Sequence, residues 1–370
     1  MARTTKKKGM AKRQLLALAI AAAILGGAAA IFIMRDRISA ALDGGGTDAG
    51  GEPWTYETGS AQAFAAAGDG LAVASSTGLQ LLDSGGETVC RQICALASPA
   101  VAACGSYAAA WDIGGDTLVA ADMQGKVTDI KPEGSIISVT VSEGGYMAVT
   151  TEKAGYKGMV TVYDSTLTAV YQWYSGTGYP LTAQVSPSGA RLAVLTVAES
   201  GGQVHIFALS SEEEKAAFTA PGELLIDAAW LGDGSICALS ETRAVFLDEN
   251  GQQTGEYSYG GAYLSQYSLS GSGYAALALS KYLSGSAALL VTVEPDGKVT
   301  GELTPESELK DLTASGKAVS ALWSDGAEKY SQSLAAQGRT DDVQGVKGAL
   351  LTQKGDIMLL YASSAQKKSM

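Results

Sequence analysis

Nucleophilic catalysis, or a metal centre of nitrogen and sulfur ligands, would have to be built from very few residues in this chain. It has one histidine, His205, and four cysteines, Cys90, Cys94, Cys104 and Cys237. A Ser-His-Asp or Cys-His arrangement needs the histidine as its base. His205 sits in Gln203-Val204-His205-Ile206-Phe207-Ala208-Leu209, an alternating stretch that reads as strand and favours a structural histidine. Cys90-x-x-x-Cys94 has no partner pair nearby, and His205 is more than a hundred residues away. The cysteines read as buried free thiols, with a Cys90–Cys94 or Cys94–Cys104 bridge as the alternative and metal behind both. There is no G-x-S-x-G elbow, P-loop, H-E-x-x-H or EF-hand loop, and Asp248-x-Asn250 lacks the later acidic ligands of a calcium loop. No catalytic residue, cofactor site or metal site is therefore assigned.

Two aromatic-rich stretches could bind rather than react. One holds Tyr171, Trp173, Tyr174 and Tyr179, and the other Tyr257, Tyr259 and Tyr263, each interleaved with glycine. Such rings could stack on sugars or anchor a protein partner. The competing reading is that they belong to outer strands and pack inside the fold.

The elements that position these residues repeat. Residues 181–197, LTAQVSPSGARLAVLTV, read as strand, tight turn, strand; Pro187 fixes φ near −65° and Gly189 tolerates a positive φ. The same turn-then-apolar-strand unit recurs at glycines 70, 105, 145, 189, 234, 273, 316 and 355, at intervals of 35 to 45 residues. That is the period of a β-propeller blade of four short antiparallel strands. A second signature lies between the hairpins. Asp122-MQGKVTDI, Asp248-ENGQQTGEY and Glu294-PDGKVTGEL align, with looser copies at Leu82-Asp83 and Val162-Tyr163-Asp164. It reads as third strand, turn and outer fourth strand, with the acid and glycine building the turn. Eight hairpins predict eight blades, with seven as the alternative. The last has too few residues after it for four strands, so Trp54-Thr55-Tyr56 is expected to complete it and close the ring.

Composition agrees with an all-β repeat protein: 46% of residues are hydrophobic, only 7% aromatic, and 46 of the 370 are glycine. Residues 1–37 hold eight Lys or Arg against Asp36 alone, which leaves a net charge of −19 on the remainder. A surface that acidic repels nucleic acid. Residues 15–34, LLALAIAAAILGGAAAIFIM, carry no charge. At 1.5 Å per residue they reach roughly 30 Å, the thickness of a bilayer's hydrocarbon core. Six positive residues precede this run and two follow it. The expectation is a cytoplasmic basic tail (1–14), a transmembrane helix (15–34), a Gly-rich tether (35–53), an extracytoplasmic propeller (54–366) and a short tail (367–370). A cleaved signal peptide ending near Ala28-Ala29-Ala30 is the rival, but Ile31-Phe32-Ile33-Met34 continues the apolar run past it.

The turn-and-strand units resemble the quinoprotein-like and YVTN-type bacterial propellers. The order of basic tail, single span, Gly-rich tether and propeller resembles a family of membrane-anchored propeller proteins of Gram-positive bacteria known only as a domain of unknown function. The resemblance implies a fold and a place at the cell membrane and carries no catalytic residues. Quinone-dependent propeller enzymes use repeated tryptophan docking motifs, whereas Trp54, Trp111, Trp173, Trp230 and Trp323 share no single blade position. Trp111 and Trp323 read as core between blades. The expected function is a non-enzymatic protein-interaction or scaffold module at the cell envelope, its partner another envelope protein or a cell-wall component. A glycan- or small-ligand-binding propeller is the alternative, and a propeller enzyme, lyase or quinoprotein-like, ranks behind it.

Overall fold

Each hairpin glycine turns one strand back on the next, and four successive strands make one antiparallel sheet. A computed structural model describes residues 52–370; the basic tail, the apolar run at 15–34 and nearly all of the tether lie outside the described residues. The described chain forms eight four-stranded sheets. Seven are sequential, spanning residues 62–93, 99–130, 136–175, 179–221, 225–258, 263–303 and 309–340 as blades 1 to 7. In blade 8, Gly348–Leu351, Ile357–Leu360 and Ser364–Lys368 are joined by Trp54–Thr55 as the outermost strand. The blade count is therefore eight, and the N-terminal strand completes the ring as its residues predicted.

The turn chemistry is the one read from the sequence. In the turns between third and fourth strands, Asp83, Asp122, Asp164 and Asp248 each accept two backbone N–H groups on one carboxylate oxygen, at 2.8–3.0 Å. These carboxylates are occupied by the chain itself. At the inner hairpin of blade 4, Gly189 takes φ 74° and donates to the Ser186 carbonyl at 2.9 Å. A Cβ on Gly189 would meet the Tyr146 ring of blade 3 at 2.4 Å. Glycine is thus required there twice, for its dihedral and for a neighbouring blade's tyrosine.

The core is the set of seams between blades. The second strand of blade 6, Ala275–Ser280, is wholly buried. Ala275, Leu277 and Leu279 pack toward blade 5, while Ala276 and Ala278 pack with Tyr274 toward blade 7. A strand buried on both faces must be apolar at every position, which is why these strands read as continuous Ala, Leu and Val. Trp111 and Trp323 lie in the seams between blades 2 and 3 and blades 6 and 7.

The innermost strand of each blade has one unpaired edge, and side chains of the preceding blade reach across to several of these edges. Ser138 and Thr140 donate to the carbonyls of Leu181 (2.9 Å) and Ala183 (2.6 Å), and Gln184 Oε1 accepts the Trp230 N–H (2.6 Å). Ser268 Oγ accepts from Ala314 N (2.9 Å), and Asp311 Oδ2 from Ala349 N (2.9 Å). These links join blade 3 to 4, 4 to 5, 6 to 7 and 7 to 8. The inner strands of blades 1 and 2, Gln62–Ala67 and Pro99–Cys104, are rich in alanine instead.

Closure concentrates on a few residues. Trp54 and Thr55 pair with Ala365 and Ser364. The Tyr56 hydroxyl is directed at the carbonyls of Tyr361 (2.6 Å) and Ser364 (2.7 Å), and its ring meets Phe64 of blade 1 at 5.3 Å. The Lys367 ammonium lies 5.3 Å from the centre of the Trp54 ring and donates to the Ser84 carbonyl of blade 1. On the inner side, Lys354 and Asp69 form an ion pair at 2.8 Å. The last strand runs to Lys368, and Met370 packs against Gly338 of blade 7, so the residues read as a tail are part of the packed structure.

Gly86 of blade 1 has φ 88°, and a Cβ there would lie 2.2 Å from the Trp54 indole. Gly86→Ala is expected to lower the unfolding free energy by about 2 kcal/mol, from the left-handed backbone and the displaced indole together. Trp54→Ala should cost about 3–5 kcal/mol as a large buried side chain is lost. Urea unfolding of both variants measures this, and wild-type midpoints would show that closure does not depend on Trp54.

Candidate functional site

Antiparallel strands give the ring two distinct ends. The hairpins between first and second strands and the turns between third and fourth lie on one, the turn face. The loops between second and third strands and the connections between blades lie on the other, the loop face. The strand Ser364–Lys368 ends on the turn face, and Trp54–Thr55, antiparallel to its first two residues, runs toward the loop face.

The residues with the capacity for chemistry do not converge. His205 lies on the third strand of blade 4, buried in the seam with blade 3. Its Nε2 is 3.0 Å from Thr196 Oγ1, its Nδ1 is 3.3 Å from Glu214 Oε2, and its ring faces Trp173 at 5.5 Å. No Ser or Cys nucleophile is hydrogen-bonded to it. The four cysteines are free thiols. Cys90 lies within the strand Thr88–Ile93 and Cys94 directly follows it. Four residues of extended chain separate their Cα atoms by roughly 13 Å, twice the reach of a disulfide. Cys104 ends the inner strand of blade 2 at the turn face, whereas Cys94 is at the loop face. The bridges considered from spacing are thus absent, for a geometric reason. Among the described residues no group of three or more His, Cys, Asp or Glu is placed to hold a metal. A half-open cleft beside Tyr107, Asp122 and Lys126 has about 30 Å³, room for only a few water molecules.

The aromatic residues divide by depth. Tyr171 and Trp173, on the outer strand of blade 3, pack on Phe207 of blade 4 at ring distances of 6.1 and 5.3 Å. Tyr257 and Tyr259 join the seam between blades 5 and 6. Tyr174, Tyr179 and Tyr263 are exposed. Tyr174 ends the outer strand of blade 3, and Tyr179 and Tyr263 begin the inner strands of blades 4 and 6. All three therefore stand on the loop face.

The structure adds residues that the sequence did not single out. Loop 152–157 of blade 3 and loop 281–286 of blade 6, six residues each, are the longest links between second and third strands. The first carries Tyr156, 52% exposed and packed on Tyr174 with ring centres 4.9 Å apart. The second carries Tyr282 and Leu283, 73% and 83% exposed. Tyr263 pairs with Ser280, two residues from Tyr282. Of the nine exposed large apolar side chains among the described residues, seven are at the loop face: Ile93, Tyr156, Tyr174, Tyr179, Tyr263, Tyr282 and Leu283. Val170 and Val299, at the starts of outer strands, are at the turn face. A signal for the long loops was present. From hairpin glycine to turn acid there are 19 residues in blade 3 and 21 in blade 6, against 13 and 14 in blades 1 and 5.

One half-buried carboxyl stands apart. Asp227, on the innermost strand of blade 5, accepts from the Ala228 N–H (2.8 Å) and the Tyr267 hydroxyl (3.1 Å). Desolvation raises its pKa above the usual carboxylate range against the pull of these two hydrogen bonds. Burial likewise raises the nearby Cys237 thiol well above its ordinary value.

These features define an eight-bladed β-propeller of four-stranded blades, closed by its N-terminal strand. Solved propellers are similar to it in fold. The BamB structure from Moraxella catarrhalis matches with a TM-score of 0.54 at 14% identity, covering 83% of this chain and 93% of that one. The C-terminal WD40 domain of Sif2 gives 0.62 at 9% identity, covering 87% and 97%. Saccharomyces cerevisiae Sqt1 gives 0.59 at 10% identity, covering 85% and 100%. No curated protein matches the sequence. The chain belongs to the family of unknown function DUF5711, whose profile matches residues 53–333.

Two outcomes follow from the site. Alkylation of the denatured, unreduced protein should add four adducts, one for each cysteine, by intact mass; two or fewer would reveal a bridge. Asp227→Asn keeps an oxygen for the Ala228 N–H, places its amide NH2 where Oδ2 meets the Tyr267 hydroxyl, which can then accept, and removes the charge. A raised folded pKa means that the stabilising neutral carboxyl is complete below the unfolded value and lost as pH rises through the folded one. The melting temperature of Asp227→Asn relative to wild type should therefore be higher at pH 7.5 than at pH 4.5. A difference independent of pH would show that Asp227 titrates normally.

Proposed function

We propose that this protein is a membrane-tethered extracytoplasmic propeller that docks a protein of the cell envelope on its loop face and performs no catalysis itself. The observation that carries this reading is the concentration of exposed aromatic and aliphatic side chains on that face. Tyrosines in particular bury a large apolar area at small entropic cost when a partner covers them. On the opposite face Asp83, Asp122, Ser186 and Asp248 are taken up by their own turns. The tether and location are supported by the uncharged run at 15–34 and its positive flanks. The fold alone assigns no partner.

The test is affinity purification of the full chain from crosslinked cells. One protein should be recovered in near-stoichiometric amount, and Tyr156→Ser with Tyr282→Ser and Leu283→Ser should reduce it about tenfold or more. Lys126→Glu with Lys298→Glu on the turn face should leave it within about twofold, since rim charges contribute little. Equal loss from both faces would refute the assignment of the face.

A further inference from the structure

Within the loop face, the rim of blades 3 and 4 has features that go beyond exposure. Tyr156 and Tyr174 meet at 4.9 Å with their planes inclined by 41°. The Lys157 ammonium sits 4.7 Å from the centre of the Tyr179 ring and 3.2 Å from its hydroxyl. Lys153, 5.8 Å from the Tyr174 ring, is held in an ion pair by Glu133. Among the described residues no carboxylate forms an ion pair with Lys157. It is an uncompensated cation on a surface that is strongly acidic overall. Three tyrosines and one positioned ammonium are thus grouped where four segments meet: the 152–157 loop, the end of Ala169–Ser175, the 176–178 connection and the start of Tyr179–Val185.

We infer that Tyr156, Tyr174, Tyr179 and Lys157 form a docking notch for an extended peptide segment of a partner protein, one in which a carboxylate stands beside a proline or aliphatic residue. The inference rests on the loop-face reading above and specifies its chemistry. The two rings, packed on each other with their planes inclined by 41°, present an angled apolar surface suited to a narrow aliphatic or prolyl side chain rather than the flat platform on which a sugar ring stacks. A single free ammonium selects a single carboxylate, and holding it against the Tyr179 ring fixes its position beforehand. The excess of negative charge elsewhere repels a dense polyanion, which excludes a highly charged polymer as the occupant.

The experiment replaces Tyr156 in the full chain with a photo-crosslinking amino acid, in the cells that make the protein, and maps the captured residues by mass spectrometry. A second chain carries the crosslinker at Tyr282. Capture from position 156 is expected at a segment with Asp, Glu or a C-terminal carboxylate next to proline or an aliphatic residue. Lys157→Glu should reduce its yield about tenfold, and Lys126→Glu on the turn face should change it less than about twofold. Lys157 and Lys126 are surface residues, and an unchanged melting temperature of each variant confirms folding. Crosslinks at an uncharged segment, or a yield indifferent to Lys157→Glu, would overturn the peptide reading. Glycan adducts in place of peptides would also overturn it. Capture from position 282 alone would refute the notch and leave the loop-face reading standing, whereas capture from neither would refute both.

Discussion

A sheet that is apolar on both faces has no stable existence by itself, and this constraint governs the whole molecule. Each blade presents Ala, Leu, Val and an occasional aromatic to either side, and only a neighbour on each side removes both surfaces from water. Blades 2 to 7 obtain both neighbours by simple succession along the chain, and blades 1 and 8 meet by closure of the ring. The eighth has three strands of its own and is completed from the other end of the propeller by Trp54 and Thr55. The indole of Trp54, the hydroxyl of Tyr56 and the ion pair of Lys354 with Asp69 bring the last blade to the first.

Much of this was legible in the sequence because its causes are local. A turn glycine with positive φ, a proline before it and a carboxylate positioned to accept two N–H groups act within five residues, so they recur as a readable motif. Even the looser copies hold: Asp164 caps its turn as Asp122 does, although Leu167 at φ 67° stands where the other has Gly125. Depth was not legible. Tyr171 and Tyr174 lie three residues apart on one strand, yet one packs on Phe207 and the other faces solvent. Strand alternation puts Tyr171 with Trp173 on one face and Tyr174 on the other; which of the two faces blade 4 covers is set by tertiary packing, and no local pattern encodes that. The cysteines are free, as read first, though only Cys237 is fully buried; the alternative Cys90–Cys94 bridge falls because four positions along an extended strand hold two thiols apart.

The two faces of the ring solve different problems. On the turn face, tight turns satisfy their own backbone, and tyrosines such as Tyr146 lie over the glycine of the next blade. That face serves the ring. On the loop face, links between strands are free to lengthen without disturbing the ladders, and they have done so in blades 3 and 6. Variation in loop length on a fixed frame is how such folds acquire recognition. The uncompensated Lys157 and the inclined tyrosines beside it are a local instance.

The position of the closing strand also determines how the molecule bears load. Residues ahead of Trp54 connect to the ring through the outermost strand of blade 8 and through nothing else among the described contacts of that strand's start. Tension on that segment along the strand axis acts across hydrogen bonds lying perpendicular to it, so they are sheared together rather than opened in turn. Because the strand is only two residues long, the resistance falls mainly on the Trp54 indole and the Tyr56 hydroxyl. The same few groups that close the ring would set the force at which it opens.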